Sequence, residues 1–268
     1  MIITGYFASV LIGLSLGLIG GGGSILTVPV LVYLFGVEPV LATAYSLFIV
    51  GTTSLIGTVP KYREELVSVK TAVIFGIPAI FAVYATRAFL VPIIPDPVFS
   101  IGTFVFSKGM FLMTIFAVLM VFASISMIRT KKVEKSDEVE QDKPIKYNYP
   151  MILLEGTVVG VLTGLVGAGG GFLIIPALVL FSKLPMKQAV GTSLLIIAAK
   201  SMLGFLGDIS HYNIDWLLLF TVTALAAAGI FVGNRFSRKV DGEKLKKAFG
   251  WFVRVMGIYI LLKELYYK

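Results

Sequence analysis

Two glycine-rich stretches decide the fold of this chain: GLIGGGGSILTVPVLV at Gly17–Val32 and GLVGAGGGFLIIPALV at Gly164–Val179. They begin 164 − 17 = 147 positions apart, and Gly17–Pro60 aligned with Gly164–Gly207 gives 15 identities in 44 pairs. Such agreement indicates an internal duplication. Apolar repeats that are broken by glycine at the same place are typical of secondary transporters, and the breaks indicate where the substrate binds.

The composition indicates a protein of the lipid bilayer. Apolar residues make up 57% of the chain, charged residues 14%, and the mean hydropathy is +0.93. Soluble domains have roughly 45–50% apolar and about 25% charged residues. The net charge of +8 is concentrated in a few loops between apolar segments, which is typical of cytoplasmic loops and not of a nucleic-acid interface. We therefore expect a polytopic membrane protein that binds no nucleic acid.

Several chemistries are excluded by the residue inventory. The chain has no cysteine and one histidine, His211, so disulfides, thiolate metal sites and histidine metal clusters are not expected. No Ser/His/Asp set or carboxylate pair lies at positions that the sequence brings together. We predict no cofactor and no enzymatic activity. Residues 1–20 lack a basic start and a cleavage site, so we interpret them as a retained membrane segment.

Ten apolar segments are expected, five in each half. We divide the chain into a first transmembrane repeat at 1–128, a cytoplasmic linker at 129–150 and a second repeat at 151–268. The second segment of each half, 24–36 and 171–182, is short for a bilayer core of about 30 Å. The sequence leaves open whether these segments cross the membrane or re-enter it. The segments are approximately 2–19, 24–36, 40–60, 69–90, 108–128, 151–167, 171–182, 188–206, 214–236 and 248–264.

The distribution of charge predicts that the two halves are inverted. The loop after the third segment is basic in the first half, Lys61–Lys70, but has no lysine or arginine in the second, Asp208–Asp215. Arg129–Lys146 and Arg235–Lys247 carry six basic residues each. The positive-inside rule places the basic loops in the cytoplasm. We predict an all-α inverted-topology repeat. Each half contains a glycine-broken helical hairpin plus about three transmembrane helices, and both termini are external.

The two glycine runs are the predicted substrate site. Helices that begin at Ser24 and Phe172 would direct their positive ends and free N–H groups at the glycine turns, near the bilayer midplane. This arrangement suits an anion. Close helix packing is the competing interpretation of the glycines. The candidate residues of the turns and the hydroxyl donors beside them are Gly20, Gly21, Gly22, Gly23, Ser24, Ser46, Gly167, Gly169, Gly170, Gly171 and Ser193.

Lys200 completes the predicted site. It lies within an apolar segment, where a lysine costs a few kcal/mol unless it faces protein or water. We predict an anion-binding cation, with pairing to Glu155 or Asp208, or extension towards the interface, as alternatives. Arg87 is expected to lie at the membrane interface, and Asp208 in a solvated external loop.

In its glycine-rich motifs the chain resembles the sulfite exporter TauE/SafE family of bacterial and plant membrane transporters. The resemblance rests on the glycine-proline stretches Gly21–Pro29 and Gly169–Pro176 and on the A-x-x-x-S-L stretches Ala42–Leu47 and Ala189–Leu194. It covers nearly the whole chain outside the linker. It implies transport of a small sulfur-containing anion, such as sulfite or an organosulfonate, across a plasma membrane.

The predicted function is export of such an anion by alternating access. An anion channel with the same site is the first alternative, and a membrane-embedded enzyme or assembly subunit the second. The sequence leaves open the exact substrate, import or export, and whether a proton or sodium ion is coupled. Small-residue runs such as Ala224–Gly229 suit internal packing or a homodimer interface equally well.

Overall fold

A computed structural model describes residues 2–101, 104–128, 149–180, 182, 184–237 and 242–266. The predicted linker lies outside the described residues from position 129 to position 148. The helix that follows already begins at Tyr149, two residues before the predicted start of the second repeat.

The first half contains six α-helices and a short hairpin among its described residues. The glycine run and the end of the fourth helix depart from α-helical geometry: the first is a 3₁₀-helix and the second a π-helical turn. The elements are α1 (Ile2–Ile19), the 3₁₀-helix (Gly20–Leu26), α2 (Thr27–Tyr33), α3 (Pro39–Arg63), α4 (Val69–Ala85), the π-turn (Thr86–Leu90), α5 (Val91–Ile93), β1 (Phe99–Ile101), β2 (Phe104–Phe106) and α6 (Lys108–Ile128).

The hairpin was not predicted. Its strands are antiparallel, with Phe99 opposite Phe106 and their rings stacked at 4.7 Å between centroids. The described part of the second half contains helices joined by turns and loops, and no strand. Its elements are α7 (Tyr149–Val166), α8 (Gly171–Leu180), α9 (Met186–Leu206), α10 (Trp216–Ser237) and α11 (Gly242–Tyr266).

Five described helices are long and apolar enough to cross a membrane: Pro39–Arg63, Val69–Ile93, Lys108–Ile125, Met186–Leu206 and Trp216–Ser237. The helices α2 and α8 have 7 and 10 residues, respectively. At 1.5 Å per residue they extend about 10 and 15 Å, well short of a hydrocarbon core. Neither α-helix is therefore long enough to cross the hydrocarbon core by itself.

The outer surface exposes apolar side chains in the helical pattern expected of a lipid-facing protein. Phe81 on α4 is 72% exposed, and Ile3 and Phe7 on α1 are 84% and 68% exposed. A soluble protein rarely exposes apolar surface on this scale. Together with the helix lengths, this surface establishes an all-α polytopic membrane protein.

The helices α3 and α9 are the most buried of the spanning helices. They lie at the centre of the protein and pack against each other. Around them α1 packs on α10, α4 on α7 and α6 on α11. Each pair combines one helix from each half, so the halves interlock and do not form two separate bundles.

The contacts between the halves are reciprocal. Gly13 of the first half approaches the backbone of Ala226 in the second. Their equivalents in the repeat, each offset by 147 positions, are Gly160 and Ala79, and Gly160 approaches the backbone of Ala79 in the same way. The same exchange relates the contact of Gly57 with Ile230 to that of Gly204 with Val83. Two copies that meet in this way are expected when a two-fold axis relates them.

Candidate functional site

The first glycine turn differs from the prediction. No α-helix begins at Ser24, because Gly20–Leu26 form a 3₁₀-helix and α2 begins three residues later at Thr27. Gly22 lies in this 3₁₀-helix. A 3₁₀-helix bonds its N–H groups to carbonyls three residues earlier, so this run offers fewer free donors than a helix start. The Ser24 hydroxyl donates to the Gly21 carbonyl at 2.7 Å.

The second glycine turn matches the prediction closely. The helix α8 begins at Gly171, one residue before the expected start. Gly167, Gly169 and Gly170 have φ values of 70°, 63° and 69°, a left-handed backbone that side chains disfavour. This conformation reverses the chain after α7 and directs the beginning of α8 at the turn.

The two turns touch each other in the centre of the protein. A Cβ atom at Gly21 would lie 2.5 Å from the Cα atom of Gly171, so neither position has room for a side chain. The central helices enclose the turns: Thr43 of α3 packs on Gly167, and Val190 of α9 packs on Gly20. The structure thus brings together glycines that are about 150 positions apart in the sequence.

Lys200 lies directly on the second turn. It is 1% exposed, and its Nζ donates to Thr163 Oγ1 at 2.9 Å. A Cβ atom at Gly170 would be 2.8 Å from the same Nζ. Among the described residues Lys200 forms no ion pair with Glu155 or Asp208, and its burial is inconsistent with extension to the interface. Both structural alternatives to a cation at the turn are wrong.

The two predicted serines are buried in α3 and α9, the helices that enclose the turns. Ser46 and Ser193 are both 0% exposed, one helical turn after Thr43 and Val190. Ser193 Oγ donates to the Val190 carbonyl at 2.8 Å. Within the described part of the chain Ser46 Oγ has no hydrogen-bond partner. Ser46 therefore keeps an unused donor.

A second buried cation was missed by the sequence analysis. Arg87 is 0% exposed and Asp208 1%, so the predictions of an interfacial arginine and a solvated carboxylate are both wrong. Arg87 Nη1 lies 3.5 Å from Asp208 Oδ2 and donates to Thr43 Oγ1 at 3.0 Å. His211, in the same loop as Asp208, is exposed. One sequence signal did exist: Arg87 is the only charged residue between Lys70 and Asp96.

Burial changes the acidity of the carboxylate. Desolvation raises the pKa of Asp208 to about 6, while the charge of Arg87 acts in the opposite direction. Asp208 lies in the loop after α9, outside the spanning segment. It can therefore change its protonation state close to neutral pH.

Buried positive charge lies on and close to the second glycine turn. Lys200 lies on this turn, and Arg87 is linked to it through Thr43. The described residues contain no group of three or more His, Cys, Asp or Glu side chains that could hold a metal. Buried positive charge with free main-chain donors is the arrangement that anions prefer.

Fold and site together define a polytopic α-helical membrane protein with a buried, positively charged centre. The sequence profile of the sulfite exporter TauE/SafE family matches residues 6–260. The chain belongs to this family, and it is a membrane transporter and not an enzyme.

Relatives from distant organisms cover almost the whole chain. A probable membrane transporter protein of Xylella fastidiosa is 30% identical over 95% of this chain and 92% of its own length. The probable membrane transporter protein YdhB of Bacillus subtilis is 28% identical over 94% and 96%, respectively. The probable membrane transporter protein MJ0441 of Methanocaldococcus jannaschii is 25% identical over 98% and 94%. No solved structure matches the chain.

Proposed function

We propose that this transporter carries a small sulfur-containing anion, such as sulfite or an organosulfonate, which binds at the second glycine turn beside Lys200. The observation that carries the proposal is the position of the lysine: a buried ammonium group lies against Gly170 and the start of α8. One of its donors is engaged by Thr163. The others supply charge and hydrogen bonds to an anion.

The site is asymmetric. Lys200 aligns with Thr53 in the first half, whose hydroxyl donates to its own helix at Ile49. The first glycine turn is a 3₁₀-helix, and only the second opens an α-helix of ten residues. The first turn then serves as the wall of the site, with Gly21 against Gly171.

Alternating access of two inverted repeats is the proposed mechanism. The reciprocal contacts of the halves support it, because an element that packs equivalently on both sides has two related arrangements available. The basic loops then lie in the cytoplasm and both termini outside the plasma membrane. An inside-negative potential favours export by about 2.3 kcal/mol per negative charge per 100 mV.

Counterflow in proteoliposomes tests this function. Labelled sulfite is exchanged by wild type, Lys200→Met and Lys187→Met, with methanesulfonate, sulfate and chloride as competitors. Lys187 is exposed on the same helix and is the matched control. We expect saturable, counterflow-stimulated flux in wild type and Lys187→Met, and a loss of about tenfold or more in Lys200→Met, equivalent to about 1.4 kcal/mol.

Three results would contradict the proposal. Absence of flux for every sulfur anion would show that the substrate is not a sulfur anion. Flux in Lys200→Met equal to that of wild type would show that Lys200 does not form the binding site. Flux without saturation or counterflow would indicate a channel.

A further inference from the structure

The guanidinium group of Arg87 has one engaged edge and one free edge. Nη1 donates to Thr43 Oγ1 and lies near Asp208. Nε and Nη2 are buried, and neither has a hydrogen-bond partner among the residues that the structure describes. Nε and Nη2 share one side of the planar group, so their N–H bonds form the fork that binds two oxygens of one anion.

The position of this group is fixed by close packing. Arg87 lies in the π-turn that ends α4, a departure from α-helical geometry often found at functional sites. Thr86 packs against Gly164 of α7, and the Cβ of Arg87 packs against Gly207 after α9. The side chain is therefore held between three elements of the protein and is not a mobile surface arginine.

The Arg87–Asp208 pair is poorly arranged for a purely structural role. A structural arginine–carboxylate pair gains most from two parallel hydrogen bonds through the fork. Here Asp208 stands 3.5 Å from Nη1, and neither of its oxygens has a hydrogen-bond partner in the described part of the chain. Buried polar groups without partners are costly, and native proteins retain them mainly where they have a function.

We propose that the Nε–Nη2 edge of Arg87 is a second oxyanion-binding site, which takes a sulfonate or sulfite group through two of its oxygens. The inference rests on the proposed anion transport for the identity of its ligand. It adds a binding position that is separate from Lys200. Both positions are connected to the second glycine turn: Thr43, which accepts a hydrogen bond from Arg87, packs on Gly167, and Lys200 packs on Gly170.

Asp208 competes with the anion for the charge of Arg87. The charged groups that act on this carboxylate are Arg87, His211 of its own loop and Lys108 at the start of α6. Burial raises its pKa to about 6. Below that pH the carboxylate is neutral, the positive charge of Arg87 is uncompensated, and the anion binds more tightly. Above that pH the ionised Asp208 weakens binding.

Calorimetric titration of the purified full chain with methanesulfonate tests the proposal. This anion of a strong acid keeps its charge from pH 5 to pH 8, so any pH dependence belongs to the protein. The variants are Arg87→Lys, which keeps the charge and loses the fork, Lys200→Met, and Arg235→Lys. Arg235 is exposed near the end of α10 and is the matched control.

Wild type and Arg235→Lys are expected to bind two anions, Arg87→Lys and Lys200→Met one each. If Arg87→Lys loses one site and Lys200→Met keeps both, the result would support this proposal and overturn the site at Lys200. Two unchanged sites in Arg87→Lys, or none in Lys200→Met, would overturn the second site.

Asp208→Asn provides an independent test that does not alter the arginine. Its expected effect is tighter binding at pH 7.5, by about tenfold if the competition is worth one pKa unit of interaction, and loss of the increase in affinity between pH 7 and pH 5. Unchanged affinity and an unchanged pH profile in Asp208→Asn would mean that no anion binds beside Arg87, and would overturn the second site. If Arg87→Lys fails to fold, these results decide the proposal.

Discussion

At the scale of the residue, two glycines with the same backbone conformation have different roles. Gly170 and Gly36 have φ values of 69° and 71°. A Cβ atom at Gly170 would meet Thr163 and Lys200 Nζ, whereas at Gly36 nothing lies within 4 Å. Both glycines meet the same backbone requirement, but of the two only Gly170 also leaves space for the ammonium group of Lys200.

Substitution of these two glycines separates strain from function. Both Gly170→Ala and Gly36→Ala incur about 1–2 kcal/mol for a left-handed backbone. Only Gly170→Ala displaces the Lys200 side chain, so its sulfite counterflow is expected to fall by about tenfold or more beyond any loss of folded protein, the equivalent of about 1.4 kcal/mol. Transport rate per folded molecule is the measurement. Equal rates in the two variants would show that the space at Gly170 has no functional importance.

At the scale of the element, the seams between helices depend on glycines that allow backbones to approach. On the α1–α10 seam Gly13 lies against the Ala226 carbonyl, and on the α4–α7 seam Gly160 lies against Ala79. Gly76, inside α4, has only Ile196 nearby, at 4.0 Å. Small residues at membrane helix interfaces have this packing role.

Gly13→Ala and Gly76→Ala are therefore expected to change stability in opposite directions. Overpacking should destabilise Gly13→Ala by about 1–3 kcal/mol. Gly76→Ala gains helix propensity, worth roughly 0.5–1 kcal/mol, without a clash. Thermal unfolding in detergent measures both. A stable Gly13→Ala, or a Gly76→Ala as damaged as Gly13→Ala, would mean that the seam is not held by backbone approach.

At the scale of the whole molecule, the proposed alternating access depends on the orientation of the two halves. The reciprocal contacts are those expected of two halves related by a two-fold axis. The loop charges predict that this relation inverts one half across the membrane. The end of α3 and the turn after α9 then lie on opposite sides.

Single-cysteine labelling tests the inversion, since the natural chain has no cysteine to interfere. Arg63 and Ser210 are both exposed, one at the end of α3 and the other after α9. Ser210→Cys should react with a membrane-impermeant maleimide on intact cells, and Arg63→Cys only after permeabilisation. The unmodified chain is the control. Labelling of both from the same side would rule out an inverted repeat.

The sequence alone was sufficient for the features that depend on local composition. Hydropathy located the spanning helices and the short α2 and α8, because the length of an apolar run and its glycine break are properties of neighbouring residues. Lys200 stood out for the same reason: a single charge in an apolar run has to be held by protein. The hairpin at Phe99–Phe106 was missed, because short strands carry little periodicity.

What the sequence by itself determined is a duplicated, helical membrane transporter with glycine breaks and a buried lysine. Only the tertiary structure decided the contacts of those parts: the pairing of Arg87 with Asp208, 121 positions later, the 3₁₀ form of the first turn, and the placement of Lys200 on Gly170. The physical reason is the separation along the chain over which each interaction acts. Hydropathy acts between neighbours in the chain, whereas the partner of a buried charge depends on which distant helices pack together.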